Sequence, residues 1–226
     1  MVYDCVRWFT TVYTGLRPSV GAFMDLREPL ASLMSPVEAA SLRVLARSST
    51  EFTGRQVANL ATTGTAAGIR KALLRLGSTG LVNVRAEPHA TYYSANAGHV
   101  LWPVVEQALS IRQVVEQRMV DAAREIARPG MTIAVFGSYA RDEAGPESDI
   151  DFVFVFPPQL SERERDDLIT EYTHRVTQWT GNATSVYDTT PEDIQRLVDA
   201  QDPIIDSWLR DARTLAGPGL NELVSR

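Results

Sequence analysis

Cysteine is all but missing from this 226-residue chain: Cys5 stands alone, which excludes an intrachain disulfide and any cysteine-rich zinc site. Lysine is as scarce. Lys71 is the only one, and the other 21 basic residues are arginines, so phosphate contacts fall mainly to the bidentate guanidinium. The three histidines, His89, His99 and His174, are scattered without ligand spacing and read as surface or internally satisfied residues. No run of about 18 uncharged apolar residues occurs, which excludes a spanning helix and any membrane role through one. The opening MVYDCVRWFTTVY carries Asp4 and Arg7 inside its apolar part, against a signal peptide. The expected compartment is the cytoplasm. A Walker-type phosphate loop is absent, against a P-loop ATPase or kinase.

What is present is an ordinary globular composition, 44% hydrophobic and 22% charged, on a length that suits two small domains or one large one. The net charge of −6 hides an asymmetry. Between Pro36 and Ala95 stand seven basic residues (Arg43, Arg47, Arg55, Arg70, Lys71, Arg75, Arg85) against three acidic ones (Glu38, Glu51, Glu87), a net of +4. The rest of the chain then has 15 basic and 25 acidic residues, a net of −10. A basic module beside an acidic one implies different partners for each.

Residues 1–34 read as an N-terminal arm, rich in aromatics and threonine up to Met24, where MDLREPLASLMSPVEAA resembles a conventional start. Trp8, Phe9 and Tyr13 suit an arm packed on a neighbour. Ser35-Pro36 with Glu38 forms a helix N-cap with proline at the first position, and an apolar face (Val37, Ala40, Leu42, Val44, Leu45) carries that helix to about Arg47. Thr53 caps a second helix with Val57 and Leu60 inward. Thr62-Thr63-Gly64 makes a tight turn, and Thr65 caps a third helix with Ile69, Leu73 and Leu76 on one face, ended by Gly80. Two short strands follow, Leu81–Arg85 and Thr91–Ser94. Residues 99–128 form one long helix, with Val104, Leu109, Ile111, Val115, Met119, Ala122 and Ile126 along a stripe and Pro103 near its start. It is expected to link two domains or to pack on the sheet that follows, and a homodimer through it is compatible with the pattern.

The most informative stretch is MTIAVFGSYARDEAGPESDIDFVFVF, Met131 to Phe156. It reads as an apolar strand, a Gly137-Ser138 turn, a polar segment with Gly145-Pro146, and a second apolar strand opening on Asp149 and Asp151. Residues two apart on a strand share a face, so the two carboxylates repel, which favours a divalent cation between them. Oxygen ligands suggest magnesium shared with substrate phosphates. Gly137 permits a sharp turn, and Ser138 with the following amides can grip a phosphate. Beyond it, Ser161 opens an amphipathic helix with Leu168, Tyr172, Val176 and Trp179 inward, ATSVY reads as a third strand, Pro191 begins a helix, and PIIDSWLRDARTLAG is a final apolar segment. This order fits a small mixed sheet with helices on one side.

Gly137-Ser138, ten residues, then Asp149-Ile150-Asp151 matches the G-S-x10-D-x-D pattern of the DNA polymerase beta-like nucleotidyltransferases, and Ala140-Arg141-Asp142-Glu143 resembles their minimal branch. The upstream order of three helices and a hairpin is that of a winged helix-turn-helix, and Thr53 to Ala58 (TGRQVA) resembles bacterial winged-helix regulators. The expected fold class is therefore α/β (α+β). An arm (1–34), a winged helix-turn-helix domain (35–98), a linking helix (99–130) and a nucleotidyltransferase-like domain (131–226) with a mixed sheet make up the chain.

The resemblance implies transfer of a nucleoside monophosphate from a nucleoside triphosphate to a hydroxyl of a protein or RNA acceptor, with two Mg2+ (or Mn2+) ions, as toxin–antitoxin components of this branch do. By position, Gly137, Ser138 and Arg141 would hold the nucleotide, and Asp149 and Asp151 the metal. The third carboxylate of the family falls at Ser185; Asp188 is the nearest acid and is the candidate third catalytic residue. The winged helix implies double-stranded DNA as partner, through Thr65, Arg70, Lys71 and Arg75. The alternative is a DNA-binding regulator whose nucleotide domain is catalytically weak or inactive.

Overall fold

The structure, a computed structural model, describes residues 24–145 and 148–225. The aromatic arm up to residue 23, with Cys5, and the Pro146 half of the Gly145-Pro146 turn lie outside the described residues. The chain is mixed α/β with two sheets, and it divides into two units, one spanning Glu28–Val114 and one formed chiefly by Val115–Arg226.

In the first unit a 3-10 turn (Pro29–Ser32) leads into α1 (Pro36–Ala46). Ser35 and Glu38 form the expected reciprocal cap. A two-residue strand β1 (Phe52–Thr53) precedes α2 (Gly54–Leu60) and α3 (Ala66–Ser78), capped by Thr53 and Thr65. Gly64 takes φ +101° between these helices, and a Cβ there would lie 3.0 Å from Val37, so the turn needs glycine on both counts. Strands β2 (Val82–Glu87) and β3 (Ala90–Ala95) form a hairpin longer than the two short runs expected, and β1, unforeseen, adds to it in the order β1-β3-β2. The core gathers Leu42, Leu45, Val57, Ile69, Leu73 and Tyr93, with Leu30 from the segment read as arm. Leu60, expected inward, is exposed at the last position of α2.

The long helix α4 (Trp102–Ile126) crosses the point of division. Val104, expected on the buried stripe, is 52% exposed, whereas Val115, Met119, Ala122 and Ile126 are buried. After it come β4 (Thr132–Phe136), a single turn α5 (Gly137–Ala140), β5 (Ile150–Val155), α6 (Glu162–Thr180) and β6 (Thr184–Thr189). The chain continues through α7 (Pro191–Asp199), α8 (Pro203–Asp211), β7 (Arg213–Ala216) and α9 (Leu220–Val224). The sheet order is β6-β5-β4-β7, with β5 and β6 parallel and the other pairs antiparallel.

Helices cover both faces of this sheet, not one. Val153 and Val155 pack with Ile194 of α7, Trp208 of α8 and Leu220 of α9. The alternate residues Phe152 and Phe154 meet Tyr172 of α6 edge-on at 5.2 and 5.5 Å, and the Tyr172 hydroxyl donates to the Met119 carbonyl of α4. A strand that is apolar at every position after Asp151 must be buried on both sides, and the FVFVF run says so. β7 was hidden inside a segment read only as apolar. Among the described residues no helix is long and apolar enough to cross a membrane.

Candidate active site

The site forms where β4 ends and β5 and β6 begin. Gly137 turns the chain at φ +73°, and a Cβ on it would stand 2.5 Å from Asp151 Oδ2. Glycine is therefore needed for the backbone and for clearance: the turn seats directly against the carboxylate. Phe136 precedes α5 and supplies no capping side chain. The turn closes on itself, with the Glu143 N–H donating to the Ser138 carbonyl at 2.8 Å.

Register places Asp151 between Phe136 on β4 and Ser185 on β6. Asp149 stands just before β5, and its Oδ2 accepts a hydrogen bond from Ser185 Oγ at 3.3 Å. Asp149, Asp151 and Ser185 are thus brought together with Gly137 and Ser138. Burial pushes the Asp151 carboxyl up to about 6, the Asp149 charge adds to the rise, and Arg141 opposes it. The carboxylate pair is short of positive charge.

Arg141 is committed elsewhere. Its Nε donates to Glu143 Oε2 at 2.7 Å and its Nη1 to Asp211 Oδ2 at the end of α8. The Asp211 side chain is only 4% exposed. These two carboxylates hold the guanidinium charge firmly and raise its affinity for its proton. Asp211 was not foreseen. It lies 70 residues from Arg141 in sequence, and no local pattern marks an acid at a helix end as the buried partner of a distant arginine.

Asp188 is not brought to the pair. β6 stays regular, so Asp188 sits opposite Phe154, three positions beyond Ser185 and on the other face of the strand. Although the residue is exposed as a whole, partial desolvation pushes its carboxyl up to about 6; Arg165 opposes the rise, and Asp166, Asp193 and Glu162 add to it.

The donor set suits a divalent cation: two uncompensated carboxylates, a hydroxyl beside them, and a cradle that even a methyl group on Gly137 would fill. Among the described residues no group of three or more His, Cys, Asp or Glu is placed to hold a metal. The residues fit one ion held by Asp149 and Asp151 with oxygens from a ligand.

In the other unit, Arg70 and Lys71 are exposed on α3 and form no ion pair among the described residues. Arg75 pairs through Nε with Glu38 Oε1 at 3.0 Å, and Thr65 spends its hydroxyl oxygen on the Gly68 N–H. On the hairpin, Arg85 is held by Glu51 and Glu87 and lies 4.7 Å over the Tyr92 ring.

Residues 117–205 match the family model of the nucleotidyltransferase domain. The match begins inside α4, in the helix read from sequence as a link, and the second half of that helix packs on the sheet through Tyr172. No curated protein is matched by the chain. Among solved structures, a toxin–antitoxin complex with AMP-PNP aligns at 16% identity and a TM-score of 0.33, over 49% of this chain and 81% of that one. A complex of tri-AMPylated HEPN toxin from Shewanella oneidensis with MNT antitoxin aligns at 17% and 0.30, over 50% and 79%.

Proposed function

We propose that this chain moves a nucleoside monophosphate from a nucleoside triphosphate to a hydroxyl on a protein or RNA acceptor, while its basic unit, a winged helix, holds double-stranded DNA. The observation that carries the reading is the Gly137 turn seated against Asp151, with Asp149 and Ser185 alongside, inside the segment that matches the nucleotidyltransferase domain. Asp149 and Asp151 would hold Mg2+, which when bound offsets the charge of the triphosphate. The uncapped N–H groups at Gly137 and Ser138 orient phosphate oxygens. Phe136, in register with Asp151, and Tyr187 both pack edge-on against the buried Trp208, and the partial burial of Asp151 strengthens its hold on charge. Arg141, tied to Asp211 and Glu143, fixes the polar segment that follows the turn and adds positive potential near Asp151. In the reaction the acceptor oxygen bonds to the α-phosphorus, the bond from that phosphorus to the pyrophosphate breaks, and the hydroxyl proton is released.

Incubation with Mg2+ and each labelled nucleoside triphosphate, with Asp149→Ala/Asp151→Ala as control, tests this. Label on the protein itself, on RNA or on a neighbour-encoded protein is the expected result, and its absence from all three defeats the enzyme reading. A toxin–antitoxin role follows the sequence resemblance and is tested by the neighbouring gene product as acceptor.

A second reading is favoured by Ser185, across from Asp151 where the family resemblance puts a third carboxylate, and by Arg70 and Lys71, exposed and without an ion pair among the described residues. In it the chain is a DNA-bound regulator whose nucleotide site turns over weakly or not at all. A gel shift lost in Arg70→Ala/Lys71→Ala with the fold intact, together with nucleotide binding but no transfer, selects this reading.

A further inference from the structure

We propose that the site takes a single divalent cation with its nucleoside triphosphate, and that Ser185 sets that number; the inference rests on the nucleotide reading above. Asp149 and Asp151 bring two negative charges, which one divalent ion balances. A second ion about 3.5–4 Å away would rest on triphosphate oxygens alone unless a further anionic side chain met it. Ser185 occupies the place from which such a side chain would come. It lies directly across the parallel pair from Asp151, and its hydroxyl donates to Asp149 Oδ2 at 3.3 Å, so it offers a neutral oxygen and spends its proton on one carboxylate.

Among the described residues, Asp188, Asp211 and Glu143 do not take its place as they stand. Asp188 is in register with Phe154, on the far face of β6. Asp211 and Glu143 are each bound to Arg141, and Asp211 is almost wholly enclosed. Beside Asp151 the Gly137 turn leaves no room even for a Cβ. The cradle has oxygen and charge for one ion, and the rest of that ion's shell must come from triphosphate oxygens and water.

Equilibrium dialysis against Mn2+ and a non-hydrolysable nucleoside triphosphate analogue counts bound manganese per bound nucleotide. Electron paramagnetic resonance of the same samples separates isolated from coupled manganese. The expected count is one, uncoupled, in the natural chain and in Ser185→Ala, rising to two, coupled, in Ser185→Asp. Two coupled ions in the natural chain overturn the proposal and leave the nucleotide reading standing. A count that stays at one in folded Ser185→Asp overturns the role of Ser185. Failure of the folded natural chain to retain any nucleotide defeats the nucleotide reading, and this inference with it. If Ser185→Asp does not fold, the counts for the natural chain and Ser185→Ala still decide the number.

Discussion

Replacing Gly137 with alanine changes one methyl group and loads two costs on the same atom. The first is conformational: at φ +73° an L-residue sits in the left-handed region, which costs about 1–2 kcal/mol. The second is steric. The new Cβ would stand 2.5 Å from Asp151 Oδ2 and 3.4 Å from its Cγ, so reaching an ordinary contact of about 3.4 Å requires the carboxylate or the turn to retreat by about 0.9 Å. A loss of about 1–2 kcal/mol in a domain of this size lowers Tm by roughly 3–10 °C. A misplacement of about 1 Å at a reacting centre costs on the order of a hundredfold in rate. Thermal denaturation by circular dichroism, manganese retention with a triphosphate analogue, and label transfer read the three consequences separately. Gly145→Ala is the control, because nothing lies within 4 Å of its Cβ position, and it is expected to leave all three near their natural values. If Gly137→Ala melts with the natural chain and retains manganese and nucleotide equally well, Asp151 is not seated against this turn, and the geometry of the proposed site is wrong.

Asp151→Asn probes the same carboxyl through pH. Its folded affinity for a proton lies at about 6, above the ordinary 3.8, so the stability it contributes is complete below about pH 4 and lost as pH rises through 6. The asparagine variant is therefore expected to melt above the natural chain at pH 7.5, with the gap closing by pH 4; a gap that does not change with pH removes the desolvation argument. Breaking the Arg141–Asp211 pair by Asp211→Ala leaves the guanidinium with only the exposed Glu143 and is expected to lower the midpoint of chemical denaturation. In a double-mutant cycle with Arg141→Ala, strictly additive effects would show that the pair does not anchor α8 to the turn. On DNA, Arg70→Ala/Lys71→Ala is expected to lower the slope of log affinity against log salt by about 2, whereas Arg85→Ala, its charge already met by Glu51 and Glu87, leaves it unchanged. Equal effects from the two variants would put the hairpin on the DNA as well.

Local rules wrote much of this protein. Ser35, Thr53, Thr65 and Ser161 each mark a helix start because their side chains bond to a backbone N–H three residues on, within reach of the sequence itself. The Gly137-Ser138 turn and the Asp149 and Asp151 spacing were legible for the same reason, since a turn and a two-residue alternation need no distant partner. What the tertiary structure alone decided is pairing at a distance. β7 became a strand because the free edge of β4 takes it up, not because RTLA is strongly strand-forming. Asp211 became the buried partner of Arg141, and Asp188 was left on the far side of β6, because register, not proximity in sequence, chooses which side chain faces a site. Register also set Ser185 across from Asp151. Sequence alone put two carboxylates, a glycine turn and, by resemblance, Ser185 in the site; the parallel pairing of β5 with β6 decided that the Ser185 hydroxyl meets Asp149 and that Asp188 does not.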